Sequence, residues 1–318
     1  MSLAKARRRG IIQSVFGVLN IHKPAGITSH DAVESVRKRL AGDTARRRRR
    51  RRRSRHGIKV GHAGTLDPFA NGVLVMCVGP ATRLIDYVQK RPKLYTAEIT
   101  LGATSTTDDP EGEITPIPGA PAPAEERIRA CLEEFLGLIA QVPPAHSAVH
   151  VGGQRAYELA RSGKEPDLSP RKVHVHRISL LRYEYPLLEI EVSCGAGTYI
   201  RALARDIGER LATGGYCSAL TRTAVGQFTI EDAVAPDDLD PARDLLPAKT
   251  TVDNMPQVTV EAPSADMLAN GRAVRLKAPL ESKAPEVAVL DPDGQLLAIA
   301  AVTDNRLGLK PLKVLKTR

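Results

Sequence analysis

The chain has 318 residues and a formal net charge of +10, and nine arginines fall within residues 46–55, RRRRRRRRSR, so the remainder is nearly neutral. Apolar content of 42% and charged content of 26% describe a globular chain with room for one large domain or two ordinary ones. They exclude a collagen-like repeat, a mostly disordered chain and a disulfide scaffold.

Residues 1–16 form a basic N-terminal extension, in which Lys5 and Arg7–Arg9 precede a short apolar stretch. A signal peptide would carry a longer apolar core and a small-residue cleavage site, and no run approaches a membrane span, so a cytoplasmic protein is expected. Residues 17–24 alternate and end in Pro-Ala-Gly, a strand entering a turn. Val33, Val36 and Leu40 fall at helical spacing, with Ser29 or Asp31 as N-cap and Gly42 as stop. The arginine run has no apolar face, which predicts disorder over 42–56.

Order resumes at GIKVGHAGTLDPFANGVLVMCVG, where VLVMCV reads as a buried strand. A helix is predicted over 82–90, a strand over 94–102, and a loop over the Thr-, Asp- and Pro-rich 104–123. The strongest helix spans 124–139, with Ile128, Cys131, Leu132, Phe135 and Leu136 on one face. A second helix is expected over 154–163, two strands able to pair over 172–185 and 187–195, and a helix over 197–215. The Pro- and Asp-rich stretch 235–256 reads as a linker, and beyond it strand-like pieces flank an Asp-Pro-Asp-Gly turn. The class is mixed α/β with a central mixed sheet and a small β-rich C-terminal domain, the boundary lying near residue 254.

Chemistry concentrates around GHAGTLDPFANG. Pro68 keeps Asp67 out of the helical region, and glycines at 61, 64 and 72 let backbone approach a ligand. Such a carboxylate suits a nucleophile or general base, although an Asp-Pro pair alone also makes an ordinary turn. The cysteines Cys77, Cys131, Cys194 and Cys217 form no C-x-x-C pair and read as reduced structural thiols. With no P-loop, dinucleotide fingerprint or metal-ligand spacing, no metal or other cofactor is expected. Four Phe, seven Tyr and no Trp weigh against an aromatic platform for single-stranded nucleic acid.

Eight words occur in a set order: GVLNIHKPAGITSHD, KVGHAGTLDPFANGVL, GPATRL, YTAEITLG, TTDDPEG, VPPAHSAVHVGGQRAYELARSG, CGAGTYIRALARDIG and LTRTAVGQF. Together they closely resemble the TruB family, the bacterial tRNA pseudouridine-55 synthases, over about residues 17–230. The tail resembles, more weakly, the PUA-like RNA-binding module of that family. The resemblance implies a pseudouridine synthase catalytic fold over 17–253 with a PUA-like domain over 254–318. It implies isomerisation of a flipped uridine in the TΨC arm of tRNA by a monomer that needs no cofactor and no protein partner.

The residues that the resemblance implies are specific. Asp67 matches the catalytic aspartate, and Arg201, in GTYIR, its cationic partner. Tyr95 lies against the flipped base and assists proton removal, and Tyr199 lines the pocket. Leu220 is a pocket wall, His62 occupies the space left by the extruded base, and Asp109 organises the flipped RNA, with Asp108 a competitor for that role. Lys23 packs the first motif against the catalytic loop. Arg83, Arg91, Lys93, Arg155 and Arg161 are candidates for phosphate contacts. Segment 122–163 matches an insertion that closes over RNA. Ala196 stands where many relatives carry lysine or serine, FANG replaces the usual LATG, and the arginine run has no counterpart. Two alternatives remain: a guide-RNA-dependent pseudouridine synthase, and a non-catalytic RNA-binding or RNA-folding protein.

Overall fold

The computed structural model describes residues 16–41 and 58–315, apart from 148, 152, 157, 158, 160, 161 and 163–165. The N-terminal extension to residue 15 and the arginine-rich insertion lie outside the described residues. The strands of the larger part are β1 (Gly17–Lys23), β2 (Val60–His62), β3 (Asn71–Val78), β4 (Lys93–Leu101), β5 (Ala103–Ser105), β6 (Ile114–Pro116), β7 (Gly137–Gln141), β8 (His150–Val151), β9 (Gln154–Arg155), β10 (Arg171–Glu184), β11 (Leu187–Cys194), β12 (Gly215–Val225) and β13 (Phe228–Thr229). Nine of them form one sheet in the order β1-β3-β12-β4-β11-β10-β7, with β2 on β3 and β13 on β12. Pairing is antiparallel except between β3 and β12, which run parallel where Thr221 meets Asn71 and Arg222 meets Gly72. The sheet is therefore mixed, and its parallel seam lies beside the Asp67 loop.

Helix α1 (Ser29–Ala41) begins differently from the sequence reading. Thr28 is the cap: its hydroxyl accepts from Asp31 N at 3.1 Å, while the Asp31 carboxylate accepts from Thr28 N at 3.0 Å, a reciprocal capping box. The segment GPATRL forms a 3₁₀ turn before α2 (Ile85–Gln89), so only the second half of the predicted helix is α-helical. Helix α3 (Glu125–Glu133) is shorter than predicted. Its last turn tightens, Gly137 adopts φ +82°, and the chain then joins the sheet as β7 along β10. The apolar run past Glu133 thus served two periodicities, and sheet pairing decided between them. The helix expected from residue 154 starts instead as β9, paired with β8, and Gly163 lies outside the described residues. The loop read over 104–123 holds the small β5–β6 hairpin. Helix α4 (Ile200–Arg210) packs against β12.

The tail contains β14 (Gln257–Thr259), α5 (Ala262–Ala269), β15 (Val274–Arg275), β16 (Glu286–Leu290), β17 (Leu296–Thr303) and β18 (Gly308–Val314), in a five-stranded sheet β14-β16-β17-β18-β15. The Asp291 side chain and backbone close the predicted turn, Oδ1 accepting from Asp293 N and Gln295 N at 3.0 and 2.9 Å. The presumed linker is tied down. Leu246 and Val18 exchange backbone hydrogen bonds at 2.9 and 3.0 Å, and Val234, just before the segment, bonds to both Asn20 and His22. Its prolines and aspartates concealed backbone groups that cover the edge of β1.

Strand β3 faces two cores. Leu74, Met76 and Val78 belong to the main cluster with Leu19, Ile99 and Leu203, whereas Val73, Val75 and Cys77 belong to a second cluster that takes in Ala81, Leu84 and Val88 and, from the tail, Ala288, Leu290 and Ile299. Polar contacts reinforce this junction: Tyr87 donates to Glu286 at 2.7 Å, and Lys313 pairs with Asp86 at 2.5 Å. All four cysteines are free and buried. Among the described residues, no helix is long and apolar enough to cross a membrane.

Candidate active site

The Asp67 loop leaves β2 and returns as β3, and its backbone is held from three distant segments. Ser29, at the start of α1, donates to Leu66 O at 2.8 Å and accepts from Leu66 N at 2.9 Å. Lys23, at the end of β1 and fully buried, donates to Pro24 O, Ile27 O and Pro68 O at 2.9, 2.7 and 3.4 Å. Arg222, on β12, donates to Val73 O at 2.7 Å, Gly64 O at 3.0 Å and Thr65 O at 3.2 Å. Gly26 N adds a bond to Pro68 O at 2.8 Å. These contacts fix the carbonyls on both sides of Asp67, so its carboxylate is presented from a preorganised loop. Gly72 permits the approach of β3 to β12: its φ is +107°, and a Cβ there would lie 2.3 Å from Arg222 O.

Arg201 sits in the first turn of α4 and is 4% exposed. Its Nε lies 2.9 Å from Asp67 Oδ2, its Nη1 2.8 Å from Asp109 Oδ2, and Nη1 and Nη2 also donate to Thr107 O and His146 O at 3.0 and 2.9 Å. One guanidinium therefore serves two carboxylates. The carboxylates differ in support. Asp109 is 3% exposed and also accepts from Thr107 Oγ1 at 2.5 Å and Glu111 N at 3.0 Å. Asp67 is 33% exposed, toward the cavity. Burial raises the Asp67 carboxyl pKa, Arg201 opposes that, and Asp109 adds to it. Asp108 is engaged elsewhere, pairing with Arg205 at 2.8 Å.

A cavity of about 780 Å³ opens above this cluster. Asp67, Tyr95, Asp109, Tyr199, Arg201 and Leu220 line it, together with Lys93, Glu111, His146, Ala196 and Arg222. Tyr95 lies on the buried face of β4, where burial pushes its phenol up. The Gln141 side chain clasps Tyr199: Oε1 accepts from Tyr199 N at 2.9 Å, and Nε2 donates to Tyr199 O at 3.1 Å. Lys23 and His62 are not among the lining residues. His62 ends β2 one residue before Ala63, and burial, then Arg222, lower its pKa. Burial likewise brings Lys23 and Lys93 each down to about 8.

Six of the eight site residues named from sequence thus line one cavity. Asp109, expected to organise RNA, is enclosed by protein partners and bound to Arg201. Three of the candidate phosphate ligands are used within the fold. Arg91 bonds to Thr251 O and pairs with Asp253, Lys93 bonds to the carbonyls of Gln89 and Arg91, and Arg83 bonds to Val314 O. The side chain of Arg155 and residue Arg161 lie outside the described residues. Sequence reasoning missed Ser29 as a loop clamp, Gln141 and Arg222. Ser29 and Arg222 lay inside quoted words, GVLNIHKPAGITSHD and LTRTAVGQF, whose individual letters carried no assignment.

Comparison with known proteins bears on this site. Residues 49–200 match the family described as TruB family pseudouridylate synthase, N-terminal domain. A tRNA pseudouridine synthase B of Syntrophomonas wolfei is 39% identical over 312 residues, covering 94% of this chain and 98% of that protein. That of Thermobifida fusca is 40% identical, covering 92% and 95%. Among solved structures, an H/ACA RNP bound to a substrate RNA containing 2′-deoxyuridine holds a chain of the same fold, with TM-score 0.70 and 22% identity over 98% of this chain and 88% of that one.

Proposed function

The chain belongs to the TruB family of pseudouridylate synthases, and on that premise we propose that it isomerises uridine to pseudouridine at position 55, in the TΨC arm of tRNA. The observation that carries this reading is the Asp67–Arg201 ion pair at the floor of a cavity that also presents Tyr95, Tyr199 and Leu220. A stacked uridine cannot reach Asp67, so the base flips out, at a cost of about a few kcal/mol. Asp67 supplies the essential carboxylate, and Arg201 favours its ionised form against the effect of burial. The C1′–N1 bond breaks, the base rotates, and C1′ joins carbon 5. The carbon-5 proton then leaves, with Tyr95 as acceptor, and N1 takes up a proton. Tyr199 and Leu220 wall the pocket, and Asp109 and Lys23 brace Arg201 and the Asp67 loop. His62, beside the pocket, fills the space that the base leaves in the RNA.

The enzyme acts in the cytoplasm as a monomer on tRNA alone, and the five-stranded tail serves as a PUA-like RNA-binding domain. The guide-RNA-dependent alternative is supported by fold likeness alone, whereas the relatives named tRNA pseudouridine synthase B match along nearly the whole chain. Tritium release from tRNA labelled at carbon 5 of uridine tests the reading. Wild type should release tritium from a bare transcript without guide RNA, and Asp67→Asn should not. Equal release by both, or none by either, would overturn it.

A further inference from the structure

We propose that Arg222 is a positioning residue for Tyr95, holding its phenol in place and favouring its ionised form for removal of the carbon-5 proton. This rests on the function proposed above. Arg222 and Tyr95 are directly opposite one another across the β12–β4 ladder, and both line the cavity. Arg222 is 2% exposed, yet its three bonds go to neutral carbonyls, and among the described residues it forms no ion pair with a carboxylate. A buried guanidinium left unneutralised projects its charge onto the nearest polar group of the pocket wall.

The charged and titratable groups that act most on Tyr95 are Arg222 from β12, Cys194 from β11 and Asp67 from the loop. On its own strand, Lys93 turns its Nζ to the carbonyls of Gln89 and Arg91. Burial, Cys194 and Asp67 push the phenol up, and Arg222 pulls it down. The proton balance is closed. Once C1′ is bonded to carbon 5, the phenolate takes the carbon-5 proton. The freed electron pair restores the C5–C6 double bond, the former N1–C6 double-bond pair moves to N1, and N1 receives a proton from the phenol.

Single-turnover rates on tRNA carrying uridine or 5-deuterouridine, measured between about pH 6 and pH 9.5, test this for wild type, Arg222→Gln, Arg222→Lys, Tyr95→Phe and the Gln/Phe double variant. Without the cation, Arg222→Gln should lose about 10²-fold at neutral pH, recover rate as pH rises, and show a primary isotope effect. Arg222→Lys keeps the charge and should retain the wild-type pH profile. In the Tyr95→Phe background, Arg222→Gln should lose its pH-dependent component and keep only the cost of the released loop carbonyls. A wholly pH-independent deficit that multiplies with the Tyr95→Phe loss would overturn the proposal and leave Arg222 as a loop brace. If Arg222→Gln fails to fold, Arg222→Lys decides: a wild-type profile supports the proposal and a shifted one overturns it. Wild type that forms no pseudouridine would instead refute the function itself.

Discussion

Replacing each of the two carboxylates on Arg201 by its amide should move stability in opposite directions. Asp67→Asn removes a charge whose folded environment raises its pKa above the usual 3.8. A carboxyl with a raised folded-state pKa binds protons more tightly when folded, so its ionisation costs stability as pH rises through the window from 3.8 to the folded value. The amide escapes that cost and leaves Arg201 neutralised by Asp109 at 2.8 Å. Stability should rise by about 0.5–2 kcal/mol at neutral pH, with activity lost. Asp109→Asn acts through its contacts. It weakens a carboxylate that accepts from Arg201 Nη1, Thr107 Oγ1 and Glu111 N, and should destabilise by about 2–3 kcal/mol. Urea titrations of wild type and both variants, at several pH values between about 4 and 8, read the two signs. The Asp67→Asn gain should shrink toward zero as pH falls to the ordinary carboxylate range. A destabilised Asp67→Asn, or a gain that stays constant with pH, would refute the reasoning.

Three further outcomes follow from the loop and its supports. Lys23 is brought down from 10.5 to about 8, so the folded state binds fewer protons between those values and stability should rise with pH across that window; Lys23→Met should flatten part of the rise in urea midpoints. Gly72→Ala places a methyl 2.3 Å from Arg222 O at φ +107° and should cost about 3 kcal/mol or more, read as lost soluble protein or a lowered thermal midpoint. Gln141→Leu releases Tyr199 N and O at the start of α4 and should cost about 1–3 kcal/mol, with a fall in kcat larger than any change in KM, measured by steady-state pseudouridine formation.

Much of this site was legible because its residues lie in short ordered words. Asp67 was marked by Pro68 and its glycines, and Arg201 by its place after Gly-Thr-Tyr-Ile. What stayed hidden depended on pairing between distant segments. Strand β12 sits at the middle of the sheet, yet GYCSALTRTAV mixes small and polar residues and carried no strand assignment. Arg222 on that strand could not be set opposite Tyr95 without the register. Gln141 lay just past the helix predicted over 124–139 and carried no assignment, because apolar spacing at the end of α3 fits a helix as well as an edge strand. The segment 235–256 hid for another reason: Leu246 pairs with Val18 of β1 through backbone groups, which no side-chain pattern announces.

The two-sided packing of β3 gives the molecule a fixed gauge. The strand that leads out of the catalytic loop packs on one side in the core of Leu19 and Ile99, and on the other in a cluster that runs through Leu84 and Val88 to Leu290 and Ile299 of the tail. The span from pocket to tail is therefore set by a few layers of packed side chains, as between the jaws of a caliper. A nucleic acid that reached both the pocket and the tail would have to match that separation. The same packing means that a chain cut near residue 254 would open this cluster and strip Tyr87 and Asp86 of their partners Glu286 and Lys313.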